Sequence, residues 1–127
     1  MEFANDGMRD SLTGLMSPAL FYESAARLIS WSRRRDEPLS LIVAELGDLD
    51  ADGIVKLARD LSAELRGGDL LSRLGIFTLI LMIVGDSKAS GHLIFRLENA
   101  IKPKVRYRFV TLDADEDVAK GLSRLGV

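Results

Sequence analysis

Arg66-Gly67-Gly68-Asp69-Leu70-Leu71-Ser72-Arg73-Leu74-Gly75-Ile76-Phe77-Thr78-Leu79 is the stretch on which the fold turns. Residues 69–74 and 76–84 are two strand-like apolar runs parted by Gly75, and a break that short predicts an antiparallel hairpin. Upstream, Ile54, Leu57, Ala58, Leu61 and Leu65 keep helical spacing, so a helix over about residues 52–66 leads into the hairpin. Gly67-Gly68 is expected to end that helix, as glycine commonly does.

Working outward, Pro18 suits a first helical turn behind Ser17 as cap. Phe21, Ala25, Leu28 and Ser32 then share a helical face, with Leu20 and Trp31 beside it. Arg33, Arg34 and Arg35 close this helix, where positive charge favours the negative end of the dipole. After the breaker Asp36-Glu37-Pro38, residues 39–46 read as a buried strand. Residues 47–53 form an acidic loop. Asp86 or Ser87 caps a further helix with the stripe Leu93, Leu97 and Ile101, stopped at Lys102-Pro103. Residues 105–112 give another strand, and Val118, Leu122 and Leu125 mark a last helix. The order α-β-α-β-β-α-β-α implies an α/β fold of the split-βαβ kind. Four or five strands are expected, with helices packed on both sides.

The chain has 127 residues, enough for one domain with a hydrophobic core. A net charge of −2 gives no basic field for nucleic acid. The absence of cysteine removes thiol catalysis and Cys-based zinc sites and fits a cytoplasmic protein. With a single histidine, His92, a His-rich metal site is excluded. The longest apolar run, residues 76–84, falls well short of the ~20 residues that span a bilayer, so no membrane insertion is expected. Residues 1–9 carry acidic Glu2 and Asp6 where a signal peptide would be basic. They read as a lead or linker to a domain over residues 10–127, as at the start of an excised domain or short adaptor.

Three motifs carry a family resemblance. Asp10-Ser11-Leu12-Thr13-Gly14-Leu15 matches a D-x-L-T-G-L opening, Arg66-Gly67-Gly68-Asp69 an R-x-x-D, and Arg73-Leu74-Gly75 an R-x-G. In this order and spacing the chain resembles the GGDEF (diguanylate cyclase) family over most of its length, in a shortened form. The resemblance also shows what has changed. Active members hold Mg²⁺ or Mn²⁺ against GTP with two carboxylates. Glu45 stands at the first of these places and Phe77 at the second, and phenylalanine offers no lone pair. Thr78 also lacks an acid, and Ile76 replaces a glycine that would let backbone approach a ligand. An F-K-x-x-N-D segment and a G-H that read guanine have no counterpart between Leu49 and Gly53. The resemblance thus implies a degenerate domain without cyclase activity and without a cofactor.

The resemblance also implies a second site. In the family, R-x-x-D binds the product cyclic di-GMP away from the reaction centre. A planar arginine fork suits guanine O6 and N7, and a carboxylate suits the N1 and N2 donors. Arg66, Asp69 and Arg96 are the expected ligand contacts, with Arg73 as a fourth, weaker candidate. Read without the family, Arg66-Gly67-Gly68-Asp69 is also a plain helix end. Two functions therefore stand open. One is a signalling domain that binds cyclic di-GMP, or meets another protein or a fused domain. The other is a structural or homodimerising module without nucleotide. The remaining polar clusters read more plainly. Glu45, Asp48, Asp50 and Asp52 lack the glycine and terminal glutamate of a calcium loop. Arg33-Arg34-Arg35 reads as a solvated helix end, and His92 as a surface helix residue.

Overall fold

Residues 39–45 are apolar on both faces, which suits the middle of a sheet rather than its edge. The computed structural model, which describes residues 3–102 and 105–127, places them there. The elements run α1 (Pro18–Arg35), β1 (Leu39–Glu45), α2 (Ala51–Glu64), β2 (Leu70–Gly75), β3 (Thr78–Val84), α3 (Ser87–Ala100), β4 (Arg106–Thr111) and α4 (Val118–Leu125). The sheet order is β2-β3-β1-β4, and every neighbouring pair is antiparallel. β1 and β2, joined through α2, flank β3, which is the split-βαβ arrangement expected.

Alternation along β1 and β3 sorts the core onto two faces. Ile42, Ala44, Leu79, Leu81 and Ile83 meet α2 and α3 through Leu57, Leu61, Leu93 and Leu97. Leu39, Leu41, Val43, Ile80 and Met82 meet α1 and α4 through Phe21, Ala25, Ile29 and Leu122. In α1 the buried stripe runs through Ile29, with Leu28 only partly covered. The helices are capped by side chains: Ser17 for α1, Asp50 for α2, Asp86 for α3 and Asp117 for α4. Pro103, expected to stop α3, lies outside the described residues, as does Glu2.

Two local expectations need correction. α2 ends at Glu64, with Leu65 already extended. Neither Gly67 nor Gly68 has positive φ, so neither acts as a left-handed helix stop. Leu65 instead turns onto the core, and the backbone then closes a turn in which the Asp69 N–H donates to the Arg66 carbonyl at 3.0 Å. The hairpin also breaks later than expected. Gly75 is the last residue of β2 and pairs with Thr78, so Ile76 and Phe77 form the loop. Neither loop residue has positive φ, unlike the turn types whose twist best fits a two-residue hairpin. The register shift between Arg73 and Gly75 sits beside this turn.

Candidate functional site

The β2–β3 hairpin has two ends. β3 is seven residues long, so the ends lie about 20 Å apart. Phe77 and Glu45 sit at the closed end; Arg66 and Asp69 sit at the open end, where β3 finishes at Val84.

At the closed end Glu45 is paired in register with Thr78 on β3 and Arg106 on β4. Its carboxylate is engaged by the Arg108 guanidinium. Ile76 and Phe77 are 40% and 43% exposed. A cavity of about 750 Å³ opens beside Glu45, lined also by Glu98, Arg106, Tyr107 and Arg108. Burial, reinforced by Glu98, pushes the Tyr107 phenol up to about 12, so it stays protonated at neutral pH and cannot act as a base there. Among the described residues no group of three or more His, Cys, Asp or Glu side chains is placed to hold a metal. The donors at this end do not fit the two-metal centre of a cyclase. The one carboxylate at the expected place is held by arginine, and phenylalanine stands at the other. Asp50 acts instead as the α2 cap, accepting from the Gly53 N–H at 2.8 Å.

Arg73 does not join the open end. Its side chain is fully buried, where its Nη1 donates to Asp10 Oδ1 at 3.1 Å and Oδ2 at 3.2 Å. Its Nη2 donates to the Ile76 carbonyl at 3.1 Å. Asp10 also accepts from the Thr13 amide at 2.8 Å and hydroxyl at 2.7 Å. Gly14, at φ 72°, makes the left-handed turn this loop requires. Arg73 thus clamps the opening motif to the hairpin, and its burial removes it from a ligand set. Met16 lies along the outer edge of β2, accepting from the Ser72 hydroxyl at 2.8 Å and the Arg73 amide at 3.2 Å.

The open end does bring the other three together. Arg66, Asp69 and Arg96 line one pocket of about 200 Å³, with Glu64, His92 and Ala89 among its other walls. The Asp69 carboxylate accepts from the Arg66 amide at 3.0 Å and from the Val84 amide at 3.4 Å. These bonds fix the carboxylate at the mouth of the pocket. The Arg66 side chain is exposed and makes no hydrogen bond or ion pair among the described residues. Arg96 is held toward α2: its Nε donates to Glu64 Oε2 at 3.1 Å and its Nη2 to the Glu64 carbonyl at 3.0 Å. Sequence reading missed both Glu64 and His92. His92 was traceable, because positions i and i+4 on a helix share a face; Glu64 lies on another helix and left no local signal.

The order of strands and the two-sided helix packing can be set beside known structures. No protein-family model matches this chain, and no curated protein matches it by sequence. Solved structures do match. The diguanylate cyclase SiaD of Pseudomonas aeruginosa, solved with its activator SiaC, superposes with a TM-score of 0.81 at 19% identity. That match covers 91% of this chain and 54% of SiaD, so the chain spans about half of that protein. The GGDEF domain of DgcB from Caulobacter crescentus, in complex with cyclic di-GMP, gives 0.81 at 11% identity, covering 97% and 88%. A sensory box/GGDEF family protein from the same organism gives 0.79 at 22% identity, covering 91% and 90%. The fold is that of a GGDEF domain. At these identities the likeness establishes the GGDEF fold and leaves the chemistry to this chain's own residues. Among the described residues no helix is long and apolar enough to cross a membrane.

Proposed function

We propose that this chain is a GGDEF-fold signalling domain without cyclase chemistry that binds cyclic di-GMP at the open end of its hairpin. The observation that carries this reading is the convergence of Arg66, Asp69 and Arg96 on one pocket. Arg66 offers an uncommitted planar fork for guanine O6 and N7, and Arg96 supplies a cation for phosphate. Asp69 faces the guanine N–H donors with a carboxylate already oriented by backbone. The DgcB GGDEF domain and a second matching GGDEF domain were each solved with this ligand, and SiaD with a protein activator. By that analogy the ligand state passes to a partner protein or an attached domain. GTP turnover is not expected, because Glu45 is held by Arg108 and Phe77 offers no ligand to a cation.

A second reading, an interaction or dimerisation module without nucleotide, is favoured by the exposed pair Ile76 and Phe77. Thermal melting separates the two. A ligand that binds the native state at a hundredfold excess over Kd stabilises it by about 2.7 kcal/mol. The receptor reading expects a higher Tm with cyclic di-GMP, none with GTP and Mg²⁺, and loss of the shift in Arg66→Ala. No shift with any ligand, together with a dimer by light scattering, supports the second reading. Hydrolysis or cyclisation of GTP overturns both.

A further inference from the structure

The open-end pocket is nearly neutral, although the ligand proposed for it is not. Its walls set Arg66 and Arg96 against Glu64 and Asp69, and Arg96 is already engaged by Glu64. Two cations and two carboxylates cancel, whereas cyclic di-GMP brings two phosphate charges. The remaining ionisable wall group is His92. It stands on α3 at i relative to Arg96 at i+4, so both lie on one face. We infer that His92 is the third cation of this pocket, taking a proton from solvent when a ligand phosphate binds beside it.

The inference rests on the cyclic di-GMP reading of the pocket. The charged groups that line the pocket with His92 are Glu64 from α2, Arg66 and Asp69 from the loop before β2, and Arg96 from α3; β3 contributes the apolar Ile83 and Val84, and Lys88, one turn earlier on α3, shares the His92 face. Arginine keeps its charge throughout the working range, and carboxylates as a class titrate near pH 4. Imidazole is the side chain whose charge changes between about pH 5 and 8. Binding therefore strengthens as pH falls through that window, with the walls otherwise unchanged.

Calorimetric titration of cyclic di-GMP into the full chain at about pH 8 and about pH 5.5 tests this, with His92→Gln, His92→Arg and Arg66→Ala alongside. The native affinity is expected to rise roughly three- to tenfold at the lower pH, the scale of one partly exposed charge contact. His92→Gln should bind at both values with the native affinity of the higher pH. His92→Arg should hold the tighter affinity at both. Native binding that is the same at both pH values but lost in Arg66→Ala overturns the inference and leaves the pocket reading standing, as does an undiminished rise in His92→Gln. No native binding at either pH overturns the pocket reading, and the inference with it.

Discussion

Arg73 is the largest fully buried side chain among the described residues, and it spends its charge on Asp10. Removing one partner of such a pair leaves the other charge in a dry site, at about 3–5 kcal/mol. Arg73→Met is expected to lower the unfolding free energy in urea by that amount. The loss should shrink by at least ~1 kcal/mol when Asp10 is already asparagine; strictly additive costs would show that the two do not act as a pair. Both residues were legible in the sequence as members of motifs. Their meeting was not, because 63 positions separate them and nothing local to either announces the other. Arg66, a few residues upstream on an exposed turn, behaves oppositely. Arg66→Ala is expected to leave the urea midpoint within about 0.5 kcal/mol of native while removing cyclic di-GMP binding. A large stability loss would return Arg66 to a purely structural role.

At the scale of elements, the helices are set by caps and the loops by long-range arginine contacts. Asp50→Ala removes the acceptor at the start of α2 and should cost about 1 kcal/mol; an unchanged midpoint would contradict that cap. The β4–α4 loop is tied by Glu116, which accepts from the Asp113 amide at 3.0 Å and from Arg124 Nε at 2.7 Å and Nη2 at 2.6 Å. Its backbone carbonyl accepts from Arg33 at 3.0 Å, joining α1 to the loop. The Arg124 hydrogen bonds hold the Glu116 carboxyl below the ordinary glutamate value of 4.5. A lowered folded value means that the stabilisation is complete above 4.5 and is lost as pH falls below it. The native melting temperature should therefore drop more steeply below that point than that of Glu116→Gln, and parallel curves would contradict it. Hydrophobic spacing made the elements and their order readable, since each helix and strand repeats its own period. Element ends were less readable. Gly67-Gly68 looked like a helix stop, but the turn is closed by Asp69, a local side-chain contact three residues from Arg66, and by Leu65 packing inward, a tertiary effect.

Across the whole molecule the hairpin separates a closed end, where Arg108 engages Glu45, from an open end with a formed pocket. The proposed absence of cyclase chemistry rests on more than the signature motif. Restoring Gly, Asp and Glu at Ile76, Phe77 and Thr78 is expected to leave GTP turnover undetected, because Arg108 still holds Glu45 and only a short loop links β1 to α2. Turnover in that variant would show that the strand ends alone carry the reaction. The split-βαβ arrangement followed from the sequence, because two β-rich runs around a short break and two β-α crossings allow few topologies; the place of β4 at the edge beside β1 is added by the structure. The pocket was readable in its three principal residues. Its neutral charge was not, because Glu64 reaches it from another helix and left no local signal. The most direct test of cyclic di-GMP binding at this corner is calorimetric titration of the native chain and Arg66→Ala up to high-micromolar ligand. Saturable heat with the native chain and none with the variant is the expected result; no heat with the native chain, or equal heat with both, would contradict it.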